Sequence, residues 1–110
     1  MLYVPARGDA IWLDFSPQSG HEQAGHRPAF VVTQANFNSK GFAVCCPITS
    51  KVKGYSFEVV IPVGLAVSGA ILVDQVKSHD WRSRNAEFIC KLPPQTRKAV
   101  FDMLALFMSP

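Results

Sequence analysis

Charge is scarce in this chain. Of 110 residues only 17% are Asp, Glu, Lys or Arg, while 48% are apolar; a soluble domain usually carries about 25% charged residues. That balance excludes a disordered tail or a polar linker protein, which cannot bury enough apolar surface to fold. A small domain has much surface for its volume, so few charges leave apolar surface over, and an oligomer interface is its simplest use. Long apolar runs are lacking too: no window approaches the roughly 18 residues of a membrane span. The opening Met-Leu-Tyr-Val-Pro-Ala-Arg has no basic-then-apolar secretory pattern, so a cytoplasmic protein with no membrane association is expected. Cysteine is limited to Cys45, Cys46 and Cys90. An odd count with two adjacent residues gives neither a disulfide framework nor a CxxC metal pattern. Buried thiols in a reduced compartment are expected.

Several catalytic signatures are also missing. Gly20 and Gly25 match neither GxGxxG nor the P-loop, and there is no GxSxG elbow. His21 and His26 are five apart with Gly25 between them, whereas the HExxH zinc helix needs a spacing of four on one face. No metal site and no cofactor are expected.

The length suits one domain spanning residues 1–110. Strand-like segments follow in quick succession: Ala10 to Phe15, with Ile11, Leu13 and Phe15 on one face, then Phe30 to Thr33, Phe42 to Cys46, Phe57 to Ile61, Ala70 to Val76 and Glu87 to Lys91. Short strands at this spacing, broken by glycines and polar clusters, predict a mostly β barrel or sandwich. Pro93-Pro94 can open a helix, and Gln95 to Phe107 contains neither Gly nor Pro. Val100, Leu104 and Phe107 share one face of that helix, and Phe101, Leu104 and Met108 an adjoining one. Part of so wide an apolar arc is expected to cap the barrel and part to meet another subunit. Ser16 to His26 is the strand-poor stretch, rich in Gly, His, Glu and Gln, and reads as a mobile functional loop.

The net charge of +3 is unevenly spread: residues 77–98 hold six basic side chains against two acidic ones, which suits a polyanion or an acidic partner. Arg27-Pro28 leads out of the loop, and Pro47-Ile48-Thr49-Ser50 leads into the basic segment Lys51-Val52-Lys53-Gly54-Tyr55. If the fold joins these two places, a fixed cation, hydroxyls and a carboxylate meet. Metal-free RNA cleavage needs that set. The 2′-OH attacks the adjacent phosphate, so a site need only take its proton, neutralise the pentacoordinate phosphate and protonate the leaving 5′-oxygen. A guanidinium fork fits phosphate oxygens.

Several further blocks stand out: Arg7-Gly8-Asp9, Trp12 to Phe15, Gly20-His21-Glu22-Gln23-Ala24-Gly25-His26-Arg27-Pro28-Ala29, Pro47 to Ser50, Lys53-Gly54-Tyr55 with Phe57-Glu58-Val59, and Asp74-Gln75-Val76-Lys77-Ser78 with Trp81-Arg82. On these residues the chain resembles the MazF/PemK family of toxin–antitoxin toxins. The resemblance implies a small SH3-like barrel (MazF/PemK/CcdB-like) with a C-terminal helix, assembled as a homodimer. It implies a sequence-specific, metal-independent endoribonuclease for single-stranded RNA, leaving 2′,3′-cyclic phosphate and 5′-hydroxyl ends. It also implies a cognate antitoxin with an acidic flexible tail.

By the same resemblance, Arg27 contacts the scissile phosphate and serves as general acid. Thr49 binds the phosphate or orients the 2′-OH, and Glu22 acts as base or positions Arg27. His26, Gln23, Ser50, Lys53, Tyr55, Asp74, Gln75 and Lys77 are RNA contacts. Some relatives place an arginine two residues before the equivalent of Asp74. Here that position is Leu72, so the burden shifts to Arg27. Tyr55 and Trp81 are candidate aromatics for RNA, a dimer groove or the antitoxin, while Phe15 reads as core. Two other functions suit the same fold: a non-enzymatic toxin that poisons DNA gyrase through its C-terminal helix, and an RNA-binding adaptor.

Overall fold

The computed structural model describes residues 2–15 and 25–110. Seven antiparallel strands dominate it: β1 (Asp9–Phe15), β2 (Gly25–Val31), β3 (Phe42–Thr49), β4 (Glu58–Val60), β5 (Ala70–Leu72), β6 (Lys77–Asp80) and β7 (Glu87–Lys91). The short turn α1 (Ala35–Asn38) precedes β3, and α2 (Pro94–Met108) closes the described chain. The strand path runs β4-β5-β3-β2-β1-β7, and β6 also pairs with β3. The long β3 therefore forks: Phe42 to Cys45 face β6, while Ile48 and Thr49 face β5. This is the mostly β architecture with a terminal helix that the sequence predicts, on an open strand path.

Alternation along the strands feeds two apolar layers. Ile11, Leu13 and Phe15 join Ala29, Val31, Ala43, Cys45 and Trp81 on one face of the sheet. On the other, Phe30, Ile48, Ile71 and Leu92 meet Val100 and Leu104 of α2. Fully burying each such side chain stabilises by about 1.5–3 kcal/mol. Pro94 sits in the first turn of α2, where its missing N–H costs nothing. Beyond Leu104 the helix leaves its support, and Leu106, Phe107 and Met108 are exposed. Part of the apolar surplus lies there. Cys45 and Cys46 are buried in β3, and burial pushes the Cys46 thiol up to about 12, so neither serves as a thiolate at neutral pH.

The structure departs from the sequence reading in four places. β2 starts at Gly25, not Phe30, because Gly25 to Phe30 pair in register with Phe15 to Ala10; His26 and Arg27 are strand residues, not loop residues. β3 continues through Thr49 despite Pro47. The Ala70 to Val76 strand stops at Leu72, since Val73–Gln75 form a 3-10 turn that redirects the chain into β6. Trp81 is buried, its indole N–H donating to the Asn38 carbonyl at 2.8 Å, so it lines no surface groove.

His79 on β6 is the one histidine of the buried interior among the described residues, 4% exposed and edge-on to Phe15 with ring centroids 5.1 Å apart. Neither ring nitrogen has a hydrogen-bond partner. Desolvation first, then the positive charges of Arg84 and Lys77, lower its pKa to about 4. An unfolded histidine titrates near 6.5, so the unfolded chain takes up this proton first. Stability is full above about pH 6.5, falls as pH drops towards about 4, and levels off below; the difference amounts to about 3 kcal/mol. Urea unfolding of wild type and His79→Leu at pH 7.5 and pH 4.5 checks this. The wild type should lose about 2–3 kcal/mol more than the variant; equal losses would remove His79 from the acid response.

Candidate active site

The β2–β3 ladder pairs Val31 with Cys45, Phe30 with Cys46 and Ala29 with Pro47. Two residues beyond the last pair of this ladder stand Arg27 on β2 and Thr49 on β3, and both line one cavity. Directly opposed residues project from the same face of a sheet. On its other side Arg27 faces the fully buried Leu13. The row Leu13, Arg27, Thr49 thus begins in the core and ends at an opening. A cavity of about 470 Å³ occupies that opening. Arg27, Thr49, Ser50, Lys51, Lys53 and Tyr55 line it, together with Phe57, Glu58, Leu72, Asp74 and Gln75.

Thr49 is buried, and its Oγ1 accepts the Lys51 N–H at 3.1 Å. That bond turns the chain out of β3 and leaves the hydroxyl proton for a ligand. Glu58 organises the basic segment that follows. Its Oε1 accepts from the backbone N–H of Lys53 at 3.1 Å and of Gly54 at 3.0 Å. Gly54 has φ +79, a conformation in which glycine carries no Cβ penalty. Tyr55 stacks on Phe57 with centroids 5.1 Å apart and stays half exposed, so a rigid aromatic face stands at the cavity rim. The sequence reading did not assign Glu58 a role. The available signal was a lone carboxylate shortly after a glycine turn, inside an apolar strand.

Electrostatically the cavity sets the cations Arg27, Lys51 and Lys53 beside the carboxyls of Glu58 and Asp74. Desolvation first, and then the negative charge of Glu58, raise the Asp74 pKa above the usual carboxylate range, against an opposing backbone hydrogen bond. Leu72 contributes an apolar wall to the same cavity as Asp74.

Arg27, Thr49, Ser50, Lys53, Tyr55, Asp74 and Gln75 are therefore brought together. Lys77 is exposed on β6 opposite Cys45 and does not line the cavity. Glu22 and Gln23 lie outside the described residues. His26, next to Arg27 on a strand, turns to the opposite face, where it stacks on Trp12 and its Nδ1 bonds the Asp14 carboxylate. His26 thus stands on a strand, not in the mobile loop that the sequence predicts. Among the described residues no group of three or more His, Cys, Asp or Glu could hold a metal ion, and no helix is long and apolar enough to cross a membrane.

Residues 6–108 match the family described as PemK-like, MazF-like toxin of type II toxin–antitoxin system. The chain belongs to this family. The endoribonuclease toxin MazF of Escherichia coli K12 is 53% identical over 85 residues, covering 76% of each chain. Family likeness extends to the fold: the crystal structure of MazF from Deinococcus radiodurans superposes with a TM-score of 0.91 at 46% identity, over 96% of this chain and 97% of that one. A MazE–MazF structure from the same organism gives a TM-score of 0.86 at 40% identity, over 97% of each chain.

Proposed function

We propose that the chain is the toxin of a type II toxin–antitoxin pair, a sequence-specific endoribonuclease that cuts single-stranded RNA without a metal ion or the ribosome. The observation that carries this reading is the meeting of Arg27 and Thr49 at one cavity with Lys51, Lys53 and Asp74. The ribose 2′-oxygen attacks phosphorus, the bond to the 5′-oxygen breaks, and a 2′,3′-cyclic phosphate and a 5′-hydroxyl result. Glu22 takes the 2′-OH proton. Arg27 neutralises the charge growing on the phosphate and donates the proton to the leaving oxygen. Thr49 Oγ1 donates to a phosphate oxygen or orients the attacking hydroxyl, and the charges fall where they change most in the transition state. Tyr55 offers a stacking face for a splayed base. Ser50, Lys53, Asp74 and Gln75 contact the neighbouring nucleotides.

The relatives named as endoribonucleases support this reading over gyrase binding on the same fold, which has no use for the Arg27–Thr49 pair. The partners are an antitoxin whose acidic flexible tail occupies the Arg27–Lys53 cavity and a second copy of the chain, drawn together by exposed apolar residues such as Phe107 and Met108. The chain works as one domain in the cytoplasm. Purified protein incubated with long RNA in excess EDTA should cut it to fragments whose 5′-hydroxyls polynucleotide kinase labels directly. Complete loss of cleavage in EDTA would overturn the metal-free mechanism.

A further inference from the structure

The reverse face of β2 carries a second cavity. Its volume is about 520 Å³; Trp12, His26, Pro28, Ser50, Val67 and Ser68 wall it, and Arg27 borders both this cavity and the Arg27–Thr49 site. Trp12 and His26 lie in nearly parallel planes, 12° apart, with centroids separated by 5.3 Å. That separation marks an offset stack, which leaves part of each ring uncovered. Trp12 is 39% exposed although it lies between the buried Ile11 and Leu13. A large aromatic at the surface that is held in place, not loose, needs a reason.

The hold on this ring pair is extensive. The Asp14 carboxylate bonds His26 Nδ1 through one oxygen and accepts from Asn85 Nδ2 at 2.7 Å through the other. Asp14 is itself fixed through its backbone, its N–H donating to the Arg84 carbonyl at 2.9 Å and its carbonyl accepting from the Arg84 guanidinium at 3.0 Å. Asn85 has a left-handed φ of 56, a conformation that asparagine tolerates better than most residues. With Nδ1 committed to Asp14, Nε2 is the ring nitrogen left for a ligand. Two serine hydroxyls, Ser50 and Ser68, stand on the same walls.

We propose that this groove is a nucleotide subsite, in which a base flanking the cleaved bond stacks on the Trp12–His26 pair and is read at its edge by His26 Nε2 and the serine hydroxyls. Asp14 and Asn85 are positioning residues that fix the imidazole. The inference rests on the endoribonuclease reading, because Arg27 and Ser50 border both cavities and an RNA strand held at the scissile phosphate continues into this one. A flat aromatic floor with a fixed polar rim suits a base; an interface with a second copy would have no need for an oriented imidazole.

The test compares wild type, Trp12→Ala, Trp12→Phe and Asp14→Asn on a randomised RNA pool, with cleavage sites mapped by sequencing, and on one defined substrate for kinetics. Trp12→Ala should raise KM about tenfold, the loss of one stacked base, with a smaller fall in kcat. It should relax the preference at one position beside the cut. Trp12→Phe should recover most of the affinity, and Asp14→Asn should relax the same position as Trp12→Ala. An unaltered cleavage profile and KM in Trp12→Ala, beside an active wild type, overturns the groove alone. A wild type that cuts no RNA overturns the endoribonuclease reading and the groove with it. Loss of self-association in Trp12→Ala by sedimentation, with RNA recognition intact, assigns the groove to a subunit seam and overturns it as a base site.

Discussion

Arg27→Ala lowers the rate of RNA cleavage at saturating substrate by about 100- to 1,000-fold, the loss seen when one preorganised transition-state donor is removed. β2 sets Arg27 between the buried Leu13 and the strand end at Thr49, so its fork arrives at the cavity on a rigid element and not on a loop. Charge accumulates on the non-bridging oxygens as the 2′-oxygen attacks, and a fixed guanidinium stabilises that state more than the ground state. Leu72 supplies no second cation beside Asp74. Arg27→Lys keeps the charge but loses the planar fork and should recover only part of the rate. Single-turnover cleavage of a short labelled RNA, with thermal melting to show that both variants fold, measures this. An Arg27→Ala enzyme within about threefold of wild type would be incompatible with the role given to Arg27.

Gly69→Ala destabilises the fold by about 3 kcal/mol or more. Gly69 adopts φ +112, and an added Cβ would lie 2.0 Å from the Thr49 carbonyl oxygen and 2.9 Å from its carbonyl carbon. Two costs combine. A non-glycine residue at that φ is strained by about 1–3 kcal/mol, and the obstacle is backbone that cannot swing aside. Gly69 also receives the Ile61 N–H at its carbonyl, 2.9 Å away, next to the Thr49–Ala70 pairing, so relief would have to break a strand junction. Gly41→Ala is the matched control: φ is +120 there, but nothing lies within 4 Å of the added carbon. It should cost about 1–3 kcal/mol, the strain alone. The denaturation midpoints of the two variants separate the terms, and equal losses would mean that the contact with Thr49 contributes nothing. Because the displaced backbone is that of Thr49, residual folded Gly69→Ala protein should also cleave RNA poorly.

Much of this was legible along the chain because it is local. β1 and β7 follow from short apolar and β-branched runs, and α2 from a window free of Gly and Pro behind a proline pair. The observed α2 differs from that window by one residue at each end. What escaped was non-local. Lys77–Asp80 reads as polar and irregular, yet it is strand β6 because the first half of β3 offers a free edge. Arg27-Pro28 reads as the exit of a loop, yet six paired positions on β1 hold it in β2. Pairing energy from a neighbour overrides weak intrinsic strand preference.

The order of residues along the chain was enough for the family, the β-rich class, the terminal helix and the residue types of the chemistry, an arginine, a hydroxyl and a basic segment. Those are properties of composition, periodicity and motif, which survive without knowledge of what lies opposite what. Which side chains face one another depends on the folded pairing of strands. Strand side chains alternate, so once β1 fixes the register of β2, Arg27 points to the Thr49 cavity and His26, one residue earlier, points to the Trp12 groove. The β3–β6 pairing in turn sets His79 opposite Ala43 and seals it away from water. Each of these depends on a partner strand far off in sequence, and no reading of one segment at a time contains it.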